Sequence, residues 1–183
     1  MISLLTRFSR KKISEDQLAS AFVVNLFDVC QQAWPEVAAY ISEDPDFAKC
    51  PTPEMKDDEQ FLMIVLVGNI KLLSESFEPE LEDAIREKIM EKCAEAMGWE
   101  RDRFNAVFKE YSDFLSRVNH PSKNVLYSMA RGLFYKYNLN HYQADYFRTL
   151  NTPNPIFLKR MNEVMNLFLW DWQAFFERYK VVL

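Results

Sequence analysis

The chain has 183 residues, of which 49% are apolar, and this is enough for one domain with a substantial core. Three glycines and no Asn-Gly or Asp-Gly dipeptide exclude a fold built mainly from tight β-hairpins. The net charge of −5 and a sequence pI near 5.2, with no recognisable binding module, argue against a nucleic-acid partner.

The first helix is predicted to begin after Ser14, because Ser14 and Gln17 have the spacing of a capping box. Apolar residues at three- and four-residue steps continue this helix to about Trp34. Pro35 is expected to end or kink it, since proline has no amide hydrogen and clashes with the preceding turn. Residues 35–42 are then predicted to form a further short helix.

The middle of the chain contains the most hydrophobic predicted helix. Residues 43–56 include three prolines and are expected to form an acidic loop. Residues 57–74 follow as a helix that is apolar on every side, so we expect this helix to lie at the centre of the protein. In the next helix, Pro79 suits the first turn and Gly98 suits the C-terminal cap.

The C-terminal part is also predicted to be helical. Apolar spacing indicates helices over residues 104–119, from Pro121 to about residue 138, over a short piece at 142–149, and from Pro155 to about Lys180. Together these elements predict an all-α, single-domain, multi-helix bundle of about six to eight helices spanning residues 1–183. Residues 1–12 differ, because their apolar and basic residues suit a loosely attached amphipathic segment.

Charge is distributed unevenly along the chain. Residues 1–12 carry four basic and no acidic side chains, residues 13–119 carry ten basic and twenty-three acidic ones, and residues 120–183 carry eight basic and four acidic ones. The acidic and basic parts either face each other within one fold or form a bipolar surface that attracts a charged partner.

The cysteines indicate a reducing compartment. Cys30, Cys50 and Cys93 are odd in number and share no close spacing, so we expect thiols rather than a disulfide framework. The N-terminal apolar residues precede the basic ones, which is the reverse of a secretory signal, and the longest apolar run has seven residues, too short to span a bilayer. These features predict a cytoplasmic protein.

Motifs for catalysis, cofactor binding and metal binding are missing from the sequence. His120 and His141 have no Glu or His at metal-ligand spacing, and neither a phosphate-binding glycine loop nor a Gly-x-Ser-x-Gly elbow is present. We therefore predict no catalytic residue, no cofactor and no metal. An enzyme is not excluded, because catalytic groups assemble in space rather than in sequence.

Two aromatic residues lie among polar neighbours if the last helices are regular. Trp170 falls on the polar face of the helix predicted from Pro155, and Tyr135 shares a polar face with Arg131. Such residues are either covered by another element or exposed as binding hot spots. They predict a non-catalytic interaction or adaptor protein that binds a protein partner or itself through Trp170, Tyr135 and Arg131.

Gly68 and Gly132 are mid-helix glycines, which allow either close helix packing or room for a ligand. The second reading gives an alternative hypothesis, in which the bundle binds a small apolar ligand, or acts on one as an enzyme, at Gly68, Asn69, Gly132 and Tyr137. A further alternative is peripheral attachment to a membrane surface through residues 1–12.

Overall fold

The computed structural model describes residues 10–51 and 57–182. It confirms the all-α prediction, and within these residues six helices have twelve residues or more. The helices are α1 (Glu15–Ser42), α2 (Asp58–Lys71), α3 (Leu73–Ser76), α4 (Pro79–Met97), α5 (Arg101–Asn119), α6 (Val125–Lys136), α7 (Asp145–Leu150), α8 (Pro155–Asn166) and α9 (Trp172–Arg178). A 3₁₀ helix spans Leu139–Tyr142.

Two short strands, one near each end of the described chain, pair with each other. β1 (Lys11–Ser14) pairs in parallel with β2 (Tyr179–Val182), and Lys11 lies opposite Tyr179. The predicted amphipathic segment over residues 1–12 falls largely outside the described residues. Its last two residues belong to β1, so they are extended rather than helical.

The core is centred on α2, as its sequence predicts. From Met63 to Ile70 every residue of this helix is buried, because α2 packs against α1, α5 and α6 at the same time. Asp57 caps the helix by accepting a hydrogen bond from the Glu59 amide at 3.0 Å.

Several predicted helix ends are confirmed. Ser14 and Gln17 form a complete capping box, with both reciprocal hydrogen bonds at 3.2 Å. Pro79 lies in the first turn of α4, and Gly98 ends that helix with a φ of 65°, a left-handed conformation that favours glycine. These caps depend on neighbours in sequence, so the sequence reveals them.

Of the two outcomes predicted for Pro35, an end to the first helix is wrong. α1 continues through Pro35 to Ser42, because Trp34, Val37 and Ile41 are all buried against the core on both sides of the proline. This tertiary packing outweighs the local loss of one helical hydrogen bond. The start predicted at Pro121 is also wrong, since α6 begins at Val125.

The prediction of one long helix from Pro155 to Lys180 is wrong as well. α8 ends at Asn166, residues 167–171 turn, and α9 begins at Trp172. The side chain of Asn69 in α2 holds this turn by donating to the Phe168 carbonyl at 2.9 Å and accepting from the Trp170 amide at 2.7 Å. The break therefore arises from a residue about a hundred positions away in the chain.

Candidate functional site

A surface cleft lies between α6 and the start of α8. Its volume is about 280 Å³, and it is lined by Tyr127, Arg131, Thr152, Pro153, Pro155, Leu158, Lys159 and Asn162. We call it the arginine cleft. The four residues from α8 in this set recur at helical spacing, so one side of that helix forms one wall.

The guanidinium of Arg131 is held by two tyrosines of its own helix. Nη1 donates to the Tyr127 hydroxyl at 2.9 Å, and Nη2 donates to the Tyr135 hydroxyl at 3.1 Å. The carbon Cζ lies 5.4 Å and 5.5 Å from the centres of the two rings. Residues 127, 131 and 135 are four positions apart, so the helix itself aligns them.

The charge around Arg131 is unbalanced. Arg131 forms no ion pair within residues 10–51 and 57–182, and the cleft residues include Lys159 but no acid. By contrast, Arg160 on α8 binds Asp44 through two hydrogen bonds of 2.9 and 2.6 Å and also binds Asp46. The cleft is thus a cationic surface without a carboxylate from the described chain.

The loop that forms the far side of the cleft is held in place by hydrogen bonds. The Tyr135 hydroxyl donates to the Asn151 carbonyl at 3.1 Å. The buried side chain of Gln143 donates to the Thr152 carbonyl at 3.0 Å and accepts from the Asn154 amide at 2.7 Å. These contacts organise the cleft before any ligand arrives.

A second feature is the exposure of α7. None of its residues is buried, although Tyr146 and Leu150 lie four positions apart on one face. Tyr146 is 71% exposed and Leu150 is 56% exposed, and Ile156, in the first turn of α8, is 58% exposed. We call Tyr146 and Leu150 the α7 surface. Two exposed apolar side chains one helical turn apart are typical of an interaction site.

The structure brings Arg131 and Tyr135 together but places Trp170 elsewhere. Trp170 lies in the turn between α8 and α9, partly buried, with its ring centre 5.4 Å from that of Phe22 and 6.1 Å from that of Phe175. The premise that Trp170 projects from the polar face of a helix is therefore wrong. The predicted role of Trp170 in partner binding depended on that position, so this argument for the role no longer holds.

The two glycines of the proposed ligand pocket are close-packing positions. A Cβ atom at Gly68 would collide with the side chain of Met129, and one at Gly132 would collide with Leu115. The space beside each glycine is therefore already filled. Close packing, rather than room for a ligand, explains both residues.

The other two residues of that pocket have structural partners. Asn69 is fully buried and holds the turn after α8. Tyr137 is 1% exposed, accepts a hydrogen bond from the Phe61 amide at 3.1 Å and donates to the Asp57 carbonyl. Burial raises the pKa of Tyr137 well above its usual range, so its hydroxyl stays protonated. The contacts of all four residues remove the motivation for a pocket at this position.

The two buried cysteines are not placed for catalysis. Burial raises the pKa of both Cys30 and Cys93 to about 12, so these thiols are not activated nucleophiles. In the described part of the chain, no three His, Cys, Asp or Glu side chains lie close enough together to hold a metal ion.

Sequence reasoning missed Tyr127, Lys159 and Asn162. Tyr127 lies four residues before Arg131, so the helical spacing that identified Tyr135 also identifies Tyr127. Lys159 and Asn162 come from α8, and nothing local in the sequence places them beside α6. The exposure of α7 was also missed, because the sequence pattern does not reveal which short helix remains uncovered.

The fold and these surfaces define an all-α multi-helix domain with a cationic cleft and an uncovered apolar helix face. Comparison of the chain with protein-family models, with curated proteins and with solved structures finds no match. Over the described residues, no helix combines the length and apolar character needed to cross a membrane.

Proposed function

We propose that the chain is a non-catalytic, cytoplasmic interaction protein that associates with a second copy of itself through the α7 surface. The observation that carries this proposal is that α7 buries none of its side chains while it exposes Tyr146 and Leu150. The proposal keeps the aromatic and basic C-terminal third as the binding region. The proposed contact is centred on α7 and not on Trp170, because Trp170 packs on Phe22.

Charge on α7 supports a second copy as the partner. A two-fold contact needs a patch that is complementary to itself. Asp145 and Arg148 flank Tyr146, and within one chain they pair at 2.6 Å. In an antiparallel pairing of two α7 helices, Asp145 of each copy would face Arg148 of the other. The apolar pair Tyr146 and Leu150 would then be buried between the two helices.

Native mass spectrometry and sedimentation velocity over a range of protein concentrations test this proposal. We expect a concentration-dependent dimer for the unmodified chain. Leu150→Asp should give a monomer with an unchanged circular dichroism spectrum, because a carboxylate would be buried at the contact. Val24→Asp is the matched control, since Val24 is 62% exposed on α1, away from the proposed contact, and should leave the dimer intact. A monomer at every concentration, or equal effects of the two variants, would refute self-association through α7.

A further inference from the structure

Arg131 is only partly exposed, yet it lacks an acidic partner within the described chain. Partial burial removes water from a guanidinium, and this costs free energy unless an anion or several acceptors replace the water. The two phenol oxygens satisfy only two of its five N–H groups. Each Nη atom therefore retains one N–H beyond its bond to a tyrosine, and a guanidinium in this state can still donate to an anion.

Neighbouring groups extend this cationic site. Lys159, exposed on α8, adds a second positive charge to the cleft. Arg131 Nε and Asn162 Oδ1 are both inaccessible and have no hydrogen-bond partner. Unpaired buried polar atoms are rare in folded proteins and often mark a missing ligand or water. Among the described residues, Asn119, Trp170 and Trp172 also have such an atom, but only Arg131 and Asn162 belong to the residues that line the cleft.

Apolar side chains form much of the rest of the cleft. Tyr127, Pro153, Pro155 and Leu158 line it beside the two charged side chains, together with Thr152 and Asn162. Gln143 holds Pro153 in position, because it donates to the Thr152 carbonyl and accepts from the Asn154 amide. A volume of about 280 Å³ is near the lower end of small-ligand sites, so it suits one charged group on a small apolar body.

We propose that the arginine cleft binds an oxyanion, a carboxylate or a phosphate, attached to a small apolar or aromatic group. Arg131 donates hydrogen bonds to the oxygens of the anion, and Lys159 adds a second positive charge. The apolar body lies against Pro153, Pro155 and Leu158. The site does not require self-association, because Tyr146 and Leu150 of the α7 surface are not among the residues that line it.

Titration calorimetry of the full chain at constant ionic strength tests the site, with benzoate, phenyl phosphate and the uncharged benzyl alcohol as probes. We expect at least one of the two anions to bind at least about tenfold more tightly than the alcohol, since charged hydrogen bonds are the stronger ones. The ranking of benzoate and phenyl phosphate identifies which oxyanion the cleft prefers. Equal binding of all three probes, or binding of none at millimolar concentration, would overturn the proposal.

Two substitutions and one control locate the binding. Arg131→Gln should weaken anion binding at least about tenfold, and Lys159→Gln should weaken it by a smaller factor without altering the fold. Lys159 is exposed, so this second variant remains informative if Arg131→Gln fails to fold. Lys109→Gln is the matched control, because Lys109 is an exposed lysine of α5 that pairs with Asp113 and does not line the cleft. If Lys159→Gln and Lys109→Gln leave anion binding equally unchanged, the anions bind elsewhere and the assignment is wrong.

Discussion

Replacing Asn69 with leucine tests why the C-terminal helices separate. Leucine has the same branched arrangement of side-chain heavy atoms but cannot form the hydrogen bonds to Phe168 and Trp170. Each buried backbone group left without a partner costs about 1–3 kcal/mol. The Trp170 amide is only partly buried, so water restores some of its loss. We therefore expect Asn69→Leu to lower the free energy of unfolding by about 2–4 kcal/mol.

Urea unfolding followed by circular dichroism measures this loss. With an m value of about 2 kcal/mol per molar urea, a loss of about 2–4 kcal/mol lowers the urea midpoint by about 1–2 M. Asn25→Leu is the matched control, because Asn25 is exposed on α1 and its replacement should change stability by no more than about 0.5 kcal/mol. Equal stabilities of the two variants would refute the role assigned to Asn69. Hydrogen exchange should also rise first at α9, the helix that follows the turn.

Three further substitutions test the packing and the polar contacts. Arg160→Leu leaves the carboxylate of Asp44, whose side chain is 1% exposed, without its main partner. Urea unfolding should therefore show a loss of about 3–5 kcal/mol in the free energy of unfolding. A loss below about 1 kcal/mol would contradict a buried ion pair. Gly132→Ala forces Leu115 to move and should cost about 1–3 kcal/mol in thermal unfolding, whereas a stabilised variant would show that Leu115 has room. Tyr137→Phe removes the hydroxyl that binds two backbone groups at the start of α2 and should cost about 1–3 kcal/mol at neutral pH. Because burial raises the folded-state pKa of Tyr137, the stability that its hydroxyl contributes is complete below the unfolded-state pKa of about 10 and is lost as the pH rises further. Urea unfolding at increasing alkaline pH should therefore show a less steep loss of stability in Tyr137→Phe than in the unmodified chain. Parallel curves for the two proteins would contradict this.

Local signals predicted the helix ends that depend on sequence neighbours. The capping box at Ser14 and the left-handed glycine at Gly98 each satisfy backbone groups within a few residues, so the sequence contains all the information they need. The central position of α2 was predicted for a similar reason. A helix that is apolar on every side can be stable only where other helices surround it.

Tertiary contacts explain the ends that were predicted wrongly. Pro35 lies inside α1 because buried residues on both sides of it hold the helix against the core. The turn at residues 167–171 contains neither glycine nor proline, and its cause is Asn69 on a helix far away in sequence. Helical periodicity alone cannot reveal either effect, since it describes one segment without its neighbours.

The residues of the candidate site also divide into those that the sequence predicts and those that depend on tertiary contacts. Tyr135 and Arg131 were identified together because they lie on one helix at a spacing of four residues. Lys159 could not be added to them, since its position depends on how α8 packs against α6. Trp170 was assigned to the polar face of a helix because one continuous helix was predicted where the structure has α8, a turn and α9.

Stability and binding are assigned to different parts of the molecule. α2 is buried from Met63 to Ile70 and packs against α1, α5 and α6, whereas α7 contributes no buried residue. Substitution of an exposed residue such as Leu150 or Lys159 therefore removes little packing, and its effect on association or anion binding can be measured in a folded chain. Substitution of Trp170 would remove packing, because its ring contacts Phe22 of α1. A loss of association in a Trp170 variant would therefore not distinguish a binding role from a structural one.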